Sequence, residues 1–116
     1  MIKDVIDALN AYSANAILHR EETEAGNPEQ ANQAHDRIIS AYRVLHQTKE
    51  GRESIRALLE DSDPGVRTWT ATHALEYAES EALAQLDLIA SGVGPIAFNA
   101  AMVAQLWRAG ELNLAK

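Results

Sequence analysis

The stretch from Glu60 to Ala78 constrains the fold more than any other part of the chain. An acidic run, Glu60, Asp61 and Asp63, leads into Pro64, and Val66, Arg67 and a train of small residues follow. Asp63 is placed to cap a helix, because its carboxylate can accept from the free N–H groups of the first turn. Pro64 suits the first helical position, where a missing N–H costs nothing. Ala71, Ala74 and Ala78 recur at helical spacing and allow a neighbouring helix to approach closely. The segment therefore reads as the inner turn and second helix of a helical hairpin. Such hairpins stack on their neighbours to bury their apolar faces, and a stack presents a surface for holding something.

The rest of the chain supplies five more helices. Ile2, Val5, Ile6, Leu9, Tyr12, Ser13 and Ala16 define one face of a first helix from about Lys3 to Glu22. Asn27, Pro28 and Gln30 form a restart with the elements of a capping box. The helix that follows runs to about Gln47, with Ala31, Ala34, Ile38, Ala41, Tyr42 and Leu45 as its apolar stripe. Gly51 marks a break, and a short helix from Arg52 to Glu60 turns Ile55, Leu58 and Leu59 inward. The fourth helix is predicted over Pro64 to Ala78. The fifth is predicted over Glu81 to Ala90, capped by Ser80, and the sixth runs from Pro95 to a stop at Gly110. Period-two alternation is missing throughout, so no sheet is expected. A shift of thirty residues lays Val66 on Ile96, Ala71 on Ala101, Ala74 on Ala104 and Tyr77 on Trp107. This weak repeat pairs the helices as three hairpins in one domain spanning residues 1–116.

The turn Asp63-Pro64 followed by Val66-Arg67 resembles HEAT repeats. Asn32 and Asp36, the segment from Gly51 to Glu60, Val66, Arg67 and Trp69, and the closing Leu106, Trp107, Arg108 and Gly110 resemble a small bacterial HEAT-like domain family of unknown function. Thr70, where alanine is usual, and Gly65 in the first turn depart from the general pattern. The resemblance implies an all-α fold, a short right-handed α-α superhelix of three HEAT-like hairpins, and leaves the activity open.

Charge narrows the partners. The chain carries 10 Lys and Arg against 17 Asp and Glu, a formal net charge of −7. No Lys or Arg falls between Thr68 and Trp107, whereas Glu76, Glu79, Glu81 and Asp87 do. Gripping phosphates needs a basic footprint, so nucleic acid is not expected, and a HEAT-like DNA-repair enzyme is disfavoured. The plain reading of the sign is an acidic surface that keeps the chain dispersed, and a basic protein partner is the other. No apolar run has the length of a membrane span. Asp4 and Asp7 interrupt the place of a signal sequence, and the chain has no cysteine, so a cytoplasmic protein is expected.

Catalytic and metal signatures are not found. His19, His35, His46 and His73 include no i, i+4 pair and no Glu-x-x-His pair, so no metal and no cofactor is expected. Gly92 and Gly94 before Pro95 lack the strand and lysine of a phosphate loop and read as a turn. The serines have no nucleophile-elbow context. Arg67 reads as a brace that reaches Asp61 or Asp63 across the turn, with a catalytic or anion-binding role as the alternative.

The remaining expectation is a non-enzymatic protein-interaction module, in concrete form an inhibitor or immunity-type partner whose acidic surface neutralises a basic effector. The alternative is an accessory protein that holds a small molecule or an enzyme partner in a concave groove. The second helices of successive hairpins are expected to line that concavity. This points to Asn32, Asp36, Arg43, Trp69 and His73 as partner-binding residues, Trp and Arg being frequent anchors. The plainer alternative is that Trp69 and His73 pack on neighbouring helices. The sixth helix is apolar nearly all round, with Phe98, Met102 and Leu106 on the side away from its expected core. The tail carrying Leu112 and Leu114 is one cover for that stripe, and a second copy in a homodimer is the other.

Overall fold

The computed structural model describes residues 2–112, and the side chains from Asp4 to Leu112. The side chain of Ile2, as well as Leu114 in the tail, lie outside the described residues. Among the described residues six helices follow one another: α1 (Ile2–Glu24), α2 (Pro28–Leu45), α3 (Lys49–Ala57), α4 (Pro64–Ala74), α5 (Glu79–Ala90) and α6 (Pro95–Arg108). A 3-10 turn, Leu58–Glu60, extends α3, and no strand occurs among the described residues. The radius of gyration, 13.2 Å, is that of one packed domain of this length.

Local chemistry sets most of the boundaries. Asp63 caps α4 as expected, its Oδ1 accepting from the backbone N–H of Gly65 at 2.7 Å and of Val66 at 3.3 Å. Asn27 stands before α2 with Pro28 in the first turn, but its side chain makes no cap hydrogen bond. Instead its Nδ2 donates to Glu22 at 3.0 Å, so the expected capping box is not formed. Gly51 does not break the chain. Thr48 caps α3 by accepting from Gly51 N–H at 3.0 Å, and the helix begins three residues before the predicted start. The fourth helix stops at Ala74, not Ala78, because Tyr77 and Ala78 both close on the Ala74 carbonyl. That turn starts α5 at Glu79, with Ala78 rather than Ser80 at the cap position. Glu79 and Glu81 in the first turn favour the positive helix end in place of a side-chain cap.

The packing departs from a simple succession of hairpins. α1 packs on α2, α3 on α4 and α5 on α6, so each consecutive pair is in contact. α4 is in contact with α1, α3, α5 and α6, while α2 meets α1 and α3 and makes no close backbone contact with α4. The second helices therefore do not form one row: α1 takes the place expected of α2. The core runs through this row, with Tyr12, Ala16, Ile38, Tyr42, Leu45, Ile55, Val66, Ala71, Ala74 and Leu75 all buried. The predicted stripe of α2 is buried at every position, and Ile39 joins it. On α1 the buried side is turned slightly from the predicted one: Ala8 is buried and Ile6 is exposed. In the weak repeat, Val66 with Ile96 and Ala74 with Ala104 share burial, but Ala101 is exposed and Ala100 takes the interior place.

Candidate functional site

Two features of α4 place its side chains. The first is the close approach of Gly65 to α1. A Cβ there would lie 2.9 Å from the Ala16 carbonyl oxygen and 2.8 Å from Arg20 Cβ, so only glycine lets the start of α4 come this near. The second is Arg20, whose guanidinium grips the capping carboxylate: Nη2 donates to Asp63 Oδ2 at 2.9 Å and Nε to both oxygens at 3.2 Å. Partial burial pushes the Asp63 carboxyl up, but the bonds from Arg20, Gly65 and Val66 outweigh it and hold the group below its ordinary range. Arg67 braces the same turn differently from expectation. Its Nη1 donates to the Asp61 backbone oxygen at 3.1 Å, and the carboxylate belongs to Arg20.

With α4 fixed in this way, all four histidines gather along one line of aromatic rings. Trp69 meets His19 edge-on with centroids 5.4 Å apart and His35 at the same distance. Behind it lies His73, 5.7 Å away, which stacks on Tyr42 at 3.7 Å with the planes 6° apart. His46 covers the far face of the cluster at 5.3 Å from Tyr42. Tyr12 Oη and His73 Nδ1 share a buried hydrogen bond of 2.7 Å. Burial, with smaller contributions from His35 and His46, brings the His73 pKa down to about 3, so this imidazole is neutral. His19 is also lowered, first by burial and then by His35. Among the described residues no group of three or more acidic or histidine side chains is arranged to hold a metal ion.

A groove of about 320 Å³ opens on the outer side of Trp69. His19 of α1 and His35 of α2 stand in its wall, Gly65, Thr68, Trp69 and Thr72 of α4 line it, and α6 supplies Ile96, Asn99, Met102, Val103 and Leu106. Thr68 Oγ1 donates to Pro64 O and Thr72 Oγ1 to Thr68 O, each at 2.7 Å, so both hydroxyls present only lone pairs to the groove. No Asp, Glu, Lys or Arg is among the lining residues. The arrangement can hold an apolar group against an indole with imidazole and carboxamide groups beside it.

The predicted partner-binding residues do not share one surface. Trp69 is half-buried and lines the groove. His73 is only 2% exposed and sits in the core, because Tyr12 of α1 and Tyr42 of α2 cover its ring; it cannot meet a partner directly. Asp36 lines a wider depression between α1 and α2 together with Asp4, Asp7, Asn15 and Arg37. Asn32 and Arg43 are exposed on α2 and line neither cavity. Of the self-association stripe, Met102 and Leu106 line the Trp69 groove, while Phe98 is 64% exposed outside it. The structure thus joins Trp69 from one predicted set to Met102 and Leu106 from the other. His19, Asn99 and Val103 were not singled out by sequence. For His19 and His35 a signal existed, since they stand eight residues either side of Asn27 and an antiparallel hairpin about that turn brings them face to face.

These features define an all-α protein whose candidate site is an apolar, histidine-flanked groove between helices. No family model matches the chain, and no curated protein matches it in sequence. Among solved structures it is similar to the protein RPA1889 from Rhodopseudomonas palustris CGA009, at 20% identity and a TM-score of 0.84, over 95% of this chain and 93% of that one. At this identity the likeness shows the fold alone. No helix among the described residues is long and apolar enough to cross a membrane.

Proposed function

We propose that the protein is a non-enzymatic protein-interaction module that seats an apolar side chain of its partner in the Trp69 groove. The architecture proposed with it is a short right-handed HEAT-like stack of the hairpins α1–α2, α3–α4 and α5–α6, with the first hairpin turned so that α1 adjoins α4. The single observation that supports a binding role is the groove, where an indole, two imidazoles and the apolar side of α6 converge on a concave surface. A large aromatic side chain at the centre of such a surface is the usual form of a binding anchor. The net charge of −7 favours a basic partner, and an inhibitor or immunity-type role toward a basic effector is its concrete version. Asp4, Asp7 and Asp36, which line the α1–α2 depression, support this reading as groups that would steer such a partner.

A second function is favoured by the size of the same groove. About 320 Å³ lies at the lower end of ordinary ligand pockets, so the groove also suits a small molecule. Affinity capture with the tagged chain from its own cells separates the two. A protein retained by the native chain and lost with Trp69→Ala, at equal helicity of both, supports the interaction module; the expected loss is about 2 kcal/mol or more. A partner retained equally by both moves binding away from the groove.

A further inference from the structure

Resting on the small-ligand reading of the groove, we infer that the site takes a small organic acid, its apolar body against Trp69 and α6 and its carboxylate between His19 and His35. The charge-bearing groups of the lining are of one kind. Both imidazoles face the same indole at 5.4 Å, and no carboxylate, lysine or arginine lines the groove. A seated ammonium group would be left without a counter-charge, which is costly away from water. A seated carboxylate meets two imidazoles whose ring N–H groups can donate to it in charge-assisted hydrogen bonds. Asn99, half-buried on α6, brings a carboxamide with no protein partner among the described residues. The threonines cannot take the head group, because their hydroxyl protons are already donated to backbone carbonyls.

The surrounding charges leave the two imidazoles available. On α1, Arg20 is engaged by Asp63 and Glu24. On α2, Asp36 approaches His35 Nδ1 at 3.4 Å but is 85% exposed, so the contact is weak and screened by solvent. On α4, His73 is neutral and buried, and α6 contributes no titratable lining residue. An anion at this place would offset both causes that hold His19 below its ordinary value, so binding near neutral pH takes up protons.

The test uses three probes with one body: 3-phenylpropionate, its amide 3-phenylpropanamide, and 3-phenylpropylamine. Trp69 fluorescence is read in a Trp107→Phe chain, so that one indole reports. The acid is expected to bind about tenfold more tightly than the amide at about pH 6, and to lose part of that advantage at about pH 8, where His19, already held below its ordinary value, carries no proton. In the doubly substituted His19→Gln, His35→Gln chain the ratio of acid to amide affinity should fall to about one. Equal binding of acid and amide at the lower pH overturns the organic-acid inference but keeps the groove as a small-ligand site. Tighter binding of the amine overturns the inference in the same way. No response to any probe at millimolar concentration overturns both.

Discussion

His73 shows how one residue couples the interior to solution conditions. Its ring is stacked on Tyr42, bonded to Tyr12 and 2% exposed, and its pKa falls from 6.5 to about 3 on folding. Below pH 6.5 the unfolded chain takes up a proton that the folded chain refuses until about pH 3. Stability from this group is therefore complete above 6.5 and declines as pH falls toward 3, by up to about 1.4 kcal/mol per pH unit. His19 acts in the same direction and is less buried. Asp63 is held below 3.8, so its own acid loss begins only below that value, outside the interval from pH 7 to pH 5. Urea unfolding at about pH 7 and about pH 5 should show a drop of about 2 kcal/mol for the native chain. His73→Phe keeps a ring on Tyr42 and removes the titration, so most of that drop should vanish. It should also cost about 1–3 kcal/mol at pH 7, because the Tyr12 hydroxyl loses its partner. A native chain equally stable at both values would contradict the burial of a neutral imidazole. Sequence alone put His73 on a binding face, because a histidine spaced beside Trp69 carries no mark of which neighbour will cover it.

At the scale of elements, the α2–α3 junction separates what a sequence can state from what only packing decides. Proline in the first turn and aspartate at the cap are local chemistry, so the start of α4 was legible at Asp63 and Pro64. Gly51 carried the opposite message. Glycine commonly ends helices, yet here it lies inside α3 because the helix crosses the end of α2 at close range. A Cβ at Gly51 would stand 1.8 Å from the Leu45 carbonyl oxygen and 2.6 Å from its carbon. Backbone atoms cannot swing aside as a long side chain can, so α3 would have to lift off α2. Gly51→Ala is expected to destabilise the protein by about 3 kcal/mol, the upper part of the overpacking range, despite the better helix propensity of alanine. Differential scanning calorimetry checks the sign, and a raised melting temperature would show that the junction is loose. The Arg20–Asp63 clasp was illegible for a related reason. Its partners are 43 residues apart and meet only because Gly65 lets α4 settle on α1. Arg67, near Asp63 in sequence, was the natural candidate from spacing, and it turned to a backbone carbonyl instead.

For the whole molecule, the pattern of apolar faces was enough for the all-helical class and the six helices among the described residues, but not for which of α1 and α2 would adjoin α4. Both α1 and α2 carry an apolar stripe, and either could have filled that place. The choice of α1 brings His19 beside Trp69 and leaves Asn32 and Arg43 on open surface. It also leaves one face of α6 uncovered. Phe98 is 64% and Met102 39% exposed, and Val93 in the preceding turn is 98% exposed. Leu112, the last described residue, packs beside Trp107 and Glu79 and does not line the groove where Met102 lies. Burying a side chain such as Phe98 is worth about 1.5–3 kcal/mol, and a two-fold contact counts each residue twice. The proposed cover is a second copy, packed α6 against α6 through Phe98. Sedimentation at micromolar concentration should give a dimer for the native chain. Phe98→Glu should give a monomer with an unchanged melting temperature at low concentration, since the side chain supports no core within one copy. Phe98 is the position to change, because Met102 and Leu106 also line the Trp69 groove and their substitution would confuse two effects. A native chain that stays monomeric at about 100 μM, well above the dissociation constant a stable contact of this kind would have, removes the homodimer and leaves Phe98 as an isolated exposed ring.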